Sequence, residues 1–385
     1  MKLREILSKA RMQFSAWLRA HRRGLLVTFS YLLSFSLGGG YYLLAPRFSL
    51  PLLSPLGALI PPVNESVLAA VIKDVPHPIS GVYFSAEEAK FWQAKRPLAV
   101  MIDNHELARR YQYGLQGADL VYEAVAEGGI TRFLAIFHRQ NVAKIGPVRS
   151  ARVYYAGWSM EFGGYYSHVG GAGKPGPADV FTFISQNGIY SLNQFRLGSP
   201  TYTFGGNVIF RNGAVLSHIN YTSTAKLWAG AQKIHRGTNN LPKFSSWKVK
   251  AEDPYVLRPK SQKIAFQFWG WPTAYSGEWR YDRFTNSYLR FQGGAKHVDQ
   301  ATKKQLSAKN VVLAYMHERP AGDGTAHRLY NSTGSGNALV YRDGKRILAT
   351  WKRSSLKART KFYKRGTSTE IAFNKGLTWI EVVPN

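Results

Sequence analysis

The 385-residue chain has no cysteine. Structural disulfides, thiolate zinc sites and cysteine nucleophiles are therefore excluded together. Acidic residues are scarce as well, with 22 Asp and Glu against 51 Lys and Arg and a formal net charge of +29. The ten histidines are scattered and form no HExxH-type pair, so the chain lacks the spacing of a dedicated metal site. There is no tandem repeat, which removes solenoid architectures. Aromatic residues are plentiful: 22 Tyr, 21 Phe and 10 Trp suit folded, β-rich domains rather than disorder.

The longest charge-free run lies near the N-terminus. Between Arg23 and Arg47 there are 23 residues without a formal charge, and about 20 such residues cross a bilayer as a helix. Lys2, Arg4, Lys9, Arg11, Arg19, Arg22 and Arg23 precede the run, and an excess of cations marks the cytoplasmic side. The run is long for a signal-peptide core, and its end, LLAPRF, offers no small-x-small cleavage site. The expectation is a cytoplasmic basic segment (1–23), a retained transmembrane signal anchor (24–46) and everything beyond it extracytoplasmic. Residues 1–47 hold eight Lys/Arg and one acid, so +22 of the +29 belongs to the exported part. Such a surface attracts polyanions over a screening length of about 8–10 Å. Outside a bacterial-type membrane these are anionic lipids, phosphate-rich wall polymers or stray DNA.

Seven prolines between residues 46 and 80 make 47–80 a stiff, extended linker, with VNESVLAAVIKDV as a short helix inside it. From Pro97 the texture changes. PLAVMID, DLVYEAVA and ITRFLAIF read as strands, with a turn at Glu127-Gly128-Gly129 between the latter two. A helix follows Ser150, then a strand at YYSHV and a glycine-rich GGAGKPG. PADVFTFISQNG is a further helix, with Pro177 in its first turn and Gly188 just past its end. The alternation predicts an α/β domain over 81–240. Beyond about residue 250 the pattern is hairpins, with Asp343-Gly344 and Asn374-Lys375-Gly376 as turns, which predicts a mostly antiparallel β domain over 250–385.

Two tempting motifs fail on chemistry. GGAGKPG has His168 where a Walker loop needs its first glycine and Pro175 where it needs Ser or Thr. Ser223-Thr-Ala-Lys226 fits SxxK, but the spacing recurs at Ser354–Lys357 without a following K[ST]G, and TSTAKLWAGAQK reads better as a capped helix start.

The constellation that carries chemistry spans residues 103–152. Asp103 closes the first strand, and Glu123 and Arg132 flank the turn. A two-residue loop places Glu123 opposite or diagonal to Arg132 on one face, and only an odd-length loop separates them. Arg149 and Arg152 stand at a helix start, where each cation costs about 0.3–1 kcal/mol unless an anion offsets it. Two guanidinium forks over exposed N–H groups form a phosphate cradle. Alternatively, Asp103, Glu123 or Glu127 supplies the anion and the network closes on itself.

RPLAVMIDNH, GADLVYEAVAEGGITRFLAIFH, KIGPVRSAR, YSHVGG and SHINYTSTAKLW, continuing through YLRFQGGAKHVD, AKNVVLAY, GSGNALVYRDGKRILATWKR and GLTWIEVVP, resemble the YerB-like family of bacterial envelope proteins. The resemblance covers roughly residues 80–384 as two consecutive domains of unknown function. It implies an envelope location. Many members look like lipoproteins held through an N-terminal cysteine; this chain has none, so the apolar helix becomes the expected anchor. A fainter similarity is to the LytR–CpsA–Psr ligases, which use Asp and Arg side chains around a pyrophosphate and Mg²⁺. Here no Asp follows Arg149, and Asp119 follows alanine rather than arginine.

Two readings result. The first is a non-enzymatic envelope module that holds an anionic wall polymer or lipid head group through Arg132, Arg149, Arg152, His168, Gly170 and Gly171. The second is a phosphotransferase on a lipid-linked wall precursor, with Asp103 holding Mg²⁺, Glu123 as base and the arginines neutralising phosphate charge. Surface DNA binding is a third, weaker option.

Overall fold

In the computed structural model, residues 72–205 and 220–385 are described, together with His21 and the backbone of 209–211 and 214–216. The basic segment, the expected anchor and linker residues 47–71 lie outside the described residues. No helix among the described residues is long and apolar enough to cross a membrane.

The principal strands are β1 (Leu98–Asp103), β2 (Leu120–Glu127), β3 (Ile130–Phe137), β4 (Tyr165–His168) and β5 (Ser191–Asn193). In the second half they are β6 (Gly277–Asp282), β7 (Ser287–Gln292), β8 (Asn310–Met316), β9 (Gly334–Arg342), β10 (Lys345–Arg353), β11 (Lys361–Lys364) and β12 (Thr378–Pro384). Ten of them form one sheet in the order β11-β10-β9-β8-β12-β2-β3-β1-β4-β5. The first segment contributes a mixed half, with β1, β4 and β5 parallel. The second contributes mainly antiparallel hairpins. The two predicted segments therefore share a sheet. They are joined by β12, the last strand of the chain, which runs parallel to both β8 and β2.

Alternation along these strands divides the core in two. On one face Tyr122, Ala124, Leu134 and Met101 pack under helix α1 (Val153–Ser159), and the Tyr122 and Trp158 rings stack at 5.0 Å. On the other, Val121, Phe133, Val100 and Ile102 meet a smaller sheet built on β6 and β7, with Trp279 and Tyr288 inserted. All six residues of LAVMID are buried, as a central strand covered on both faces requires. PADVFTFISQ starts later than expected. Asp179, not Pro177, opens helix α2 (Val180–Gln186) by accepting from the N–H groups of Phe181 and Thr182. The SxxK segment is helix α3 (Thr224–Ile234), and the Ser223 hydroxyl accepts from the Lys226 N–H at 3.1 Å.

The β2–β3 hairpin departs from expectation in an instructive way. Its loop is the two-residue Gly128-Gly129, both at positive φ (54° and 79°), a backbone that glycine adopts without strain. A bulge between Val125 and Glu127 then slips the register by one, so Arg132 pairs with Ala124 and Glu123 with Phe133. A one-residue slip sends side chains to opposite faces. Glu123 and Arg132 consequently point into different cores, and the predicted cross-strand pair does not form.

Candidate functional site

At the carboxyl ends of β1 and β4 the two parallel strands part, and residues 148–151 enter between them. The Arg149 N–H reaches Met101 O (3.0 Å), the Val169 N–H reaches Arg149 O (3.1 Å) and the Ala151 N–H reaches Gly170 O (3.0 Å). This is the crevice in which open parallel sheets hold ligands. It gathers most of the predicted residues: Asp103, Arg132, Arg149, Arg152, His168, Gly170 and Gly171.

The arginines there are largely satisfied from within. Glu127, at the end of β2, bonds Arg132 Nη2 with one carboxylate oxygen and Arg152 Nη2 with the other. Arg132 Nη1 adds Ser150 O at 3.0 Å, and Arg152 Nη1 adds Ala151 O at 2.8 Å. Burial pushes the Glu127 carboxyl up, but Arg132, Arg152 and Arg149 override it and hold the group at about 2. The anion at the helix start is thus a protein carboxylate. Arg149 lies with Nε 3.1 Å from Asp103 Oδ2 and keeps 25% of its side chain exposed, against 6% for Arg152 and 4% for Arg132.

The remaining predicted residues are built in structurally. His168 is buried, with Nδ1 2.8 Å from Gly170 O and Nε2 2.8 Å from the Ser191 hydroxyl, and burial lowers it to about 4. Gly171 is required by close approach, because a Cβ there would lie 2.4 Å from Val180 Cγ1. Asp103 Oδ1 accepts from the His105 N–H at 2.9 Å while Oδ2 faces Arg149. Among the described residues no three His, Asp or Glu side chains converge to hold a metal ion. Both Asp103 oxygens are instead engaged by the protein, one by the His105 N–H and the other by Arg149.

Glu123 belongs to a separate, sealed network. Its Oε1 accepts from Asn104 Nδ2 (3.0 Å), the Thr131 hydroxyl (2.7 Å) and Gln292 Nε2 (2.9 Å), and its Oε2 bonds Arg290. Glu381 is its neighbour in register on β12, and Arg290 Nη1 reaches Glu381 Oε1 at 2.5 Å. Trp279 Nε1 donates to that same oxygen at 2.9 Å. Burial and then the proximity of Glu123 raise Glu381 well above the ordinary carboxyl range, against the pull of Arg290. The Arg290 guanidinium also lies 4.6 Å from the Trp379 ring, and its Nε donates to His297 Nδ1 at 3.0 Å. His297 Nε2 therefore carries the proton and bonds Gln112 Oε1. With no exposed oxygen, Glu123 has no open side from which to act as a base.

Arg290, His297 and Glu381 escaped the sequence reading, though a signal existed. Arg290 stands between Leu289 and Phe291, and Glu381 between Ile380 and Val382. A charge inside a buried strand needs a partner, and each is the other's.

The chain matches the family described as "Protein of unknown function (DUF3048) N-terminal domain" over residues 84–236 and its C-terminal counterpart over 265–380. It is 30% identical over 305 residues to "Putative lipoprotein YerB" of Bacillus subtilis (strain 168), covering 76% of this chain and 82% of that protein. The crystal structure of the YerB protein from Bacillus subtilis superposes with a TM-score of 0.66 at 24% identity, covering 81% of this chain and 97% of that one, which shows a shared fold. The two consecutive matched segments and the 30% identity to the Bacillus subtilis protein place this chain in the YerB-like, DUF3048 family.

Proposed function

We propose that this protein is a membrane-tethered, extracytoplasmic module of the bacterial envelope that binds a phosphodiester-rich surface, either a wall polymer or anionic lipid head groups, without chemical turnover. The lipoprotein description of the Bacillus subtilis relative supports the envelope location. The charge-free run 24–46 is the proposed single-pass anchor, since the sequence offers no cysteine for a lipid.

The observation that carries the reading is the charge of one sheet edge. Between Lys345 and Arg365 there are nine Lys/Arg and no acid, on β10, β11, the connection between them and the residue just past β11. A groove of about 450 Å³ there is lined by Lys352, Lys357, Arg359 and Lys361, with Ser245 and Ser354. Arg359 is held rigidly, with its guanidinium 3.9 Å from the Trp247 ring and Nη1 3.1 Å from Glu161 Oε2. Among the described residues no carboxylate lies within ion-pair distance of Lys352, Lys357, Lys364 or Arg365. Cations so clustered raise local potential and recruit phosphate chains by releasing counterions.

The phosphotransferase alternative needs Asp103 and Glu123 to face a substrate, and both are enclosed. The test is co-sedimentation of the full chain with phosphatidylglycerol vesicles and with poly(glycerol phosphate), with duplex DNA as a third arm. Lys352→Glu/Lys357→Glu is expected to weaken the first two at least tenfold, and raising salt from about 0.05 to about 0.3 M should do the same. Preference for DNA at equal phosphate, or indifference to the double variant, would overturn the proposal. So would Mg²⁺-dependent turnover of a labelled carrier-lipid pyrophosphate.

A further inference from the structure

A second cleft, of about 400 Å³, lies where residues 106–110 of the first segment meet 292–300 of the second. Arg109, Arg110, Lys296 and His297 line it, with Gln292 also present and Glu106 as the carboxylate among the lining residues. Arg110 and Lys296 are exposed, so two solvent-facing cations stand among its lining residues.

Arg109 is the unusual member. Its guanidinium lies 4.8 Å from the Tyr275 ring, yet among the described residues it donates no hydrogen bond and joins no ion pair. Nε and Nη2 are enclosed without an acceptor. Burial drives its pKa down, and Tyr275, Glu123 and Glu106 only partly offset that cost from a distance. The buried guanidinium groups of the two ion clusters are answered: Arg290 has two carboxylates, and Arg132 and Arg152 share one, while Arg342, which lines no such cleft, is the other guanidinium with enclosed nitrogens and no hydrogen-bond or ion-pair partner among the described residues. A fold that supplies no acid to a cation lining a cleft leaves that charge for a ligand.

The floor supplies a complementary group. The Gln292 amide nitrogen is committed to Glu123 at 2.9 Å, which fixes the orientation of the amide and leaves Oε1 enclosed without a donor. His297 presents no charge, because burial, Arg290 and Arg109 hold it well below the ordinary imidazole range. The cleft thus offers donors and positive charge on one side and a bare acceptor on the other. An oxyanion that also carries a hydroxyl satisfies both.

We infer that this cleft is a binding site for a hydroxyl-bearing phosphate ester, of the glycerol phosphate class, with Arg109 as the anchoring cation, Arg110 and Lys296 closing on the phosphate and Gln292 accepting from the hydroxyl. Its volume falls within the range of small-ligand pockets, which runs from about 300 to about 1,000 Å³. The site is separate from the basic sheet edge and does not depend on it.

Calorimetric titration of the full chain in neutral detergent tests it, with glycerol phosphate as the probe and glycerol as the neutral control. Phosphatidylglycerol vesicles form a second arm, which distinguishes a free ester from a lipid head group. Glycerol phosphate or the vesicles should bind and glycerol should not. Arg109→Met is expected to lower that affinity at least tenfold and to leave the melting temperature equal or higher, because it removes an uncompensated buried charge. A purely structural arginine would instead lower the melting temperature, and a fall of more than about 5 °C, which for a chain of this size exceeds 1 kcal/mol, would overturn the assignment. Should Arg109→Met not fold, that too counts against it, and the exposed double variant Arg110→Ser/Lys296→Ser must still weaken binding at least threefold. Lys352→Glu/Lys357→Glu should leave the glycerol phosphate titration unchanged, which separates failure of this site from failure of the sheet edge. Absence of binding in both arms sinks the inference.

Discussion

Arg290 and Arg132 each hold glutamates in the interior, but the two clusters are built for different surroundings. Arg290 is fully buried and serves two glutamates, Glu123 and Glu381, which stand side by side on parallel strands. Arg132 and Arg152 reverse the ratio, with two cations on one Glu127 that keeps 29% of its side chain exposed. In the sealed cluster the excess is acidic, and a raised Glu381 carries it. In the open one the excess is positive and water screens part of it. Surplus charge of either sign is tolerated where a proton or solvent can absorb it.

Breaking the sealed side should have the largest effect. Arg290→Met leaves two adjacent buried carboxylates without a cation, and loss of one partner of such a group costs about 3–5 kcal/mol. The expected result is a chain that melts far lower or fails to accumulate. Adding Glu123→Gln and Glu381→Gln to it should restore most of the stability in urea denaturation, and failure to do so would show that packing, not charge, is what Arg290 supplies.

Next in size is acid. Burial lowers His138 and His168 to about 4 and His77 to about 3, while an unfolded histidine titrates near about 6.5. Stability from these neutral rings is fully present above the unfolded value and is lost as pH falls toward the folded ones, because the unfolded chain binds the protons first. Each contributes a loss of about 1 kcal/mol between pH 7 and 5.5, so unfolding free energies measured across that window should slope steeply. His297 is held down in the same way, so His168→Asn should remove about a quarter of the slope.

Glu127→Gln comes third. It leaves Arg132 and Arg152 facing each other across a neutral amide, with an expected loss of about 2 kcal/mol because solvent reaches the site. Raising salt should recover part of that loss, whereas the Arg290 variant should be insensitive to salt. Arg149→Ala is the mildest. Its pairing with Asp103 is partly exposed, and a loss under about 1 kcal/mol in the melting experiment is expected. A larger loss would move Arg149 from the open class to the sealed one.

Much of this architecture was legible in the residues. LAVMID, DLVYEAVA and ITRFLAIF are strands at the places read, the glycine pair turns the hairpin, and the crevice residues assemble where GPVRSAR meets HVGG. The Glu123–Arg132 pair was not legible, because a bulge near Ala126 has no compositional mark and one extra residue reverses every later side chain. The partner of Glu123 lay 167 positions away, at Arg290, beyond the reach of any local pattern. Two segments read as separate domains share a sheet for the same reason: strand order is a long-range property, and only the charged residues inside β7 and β12 hinted at it.

The placement of β12 has a consequence for cooperativity. Thr378–Pro384 lies between β8 and β2 and runs parallel to both. Without it, two rows of backbone donors and acceptors face each other unbridged, and Arg290 has only one of its two acids. Loss of this one strand opens two ladders and a buried ion cluster together, which ties the mixed and the antiparallel halves of the sheet into a single unfolding unit.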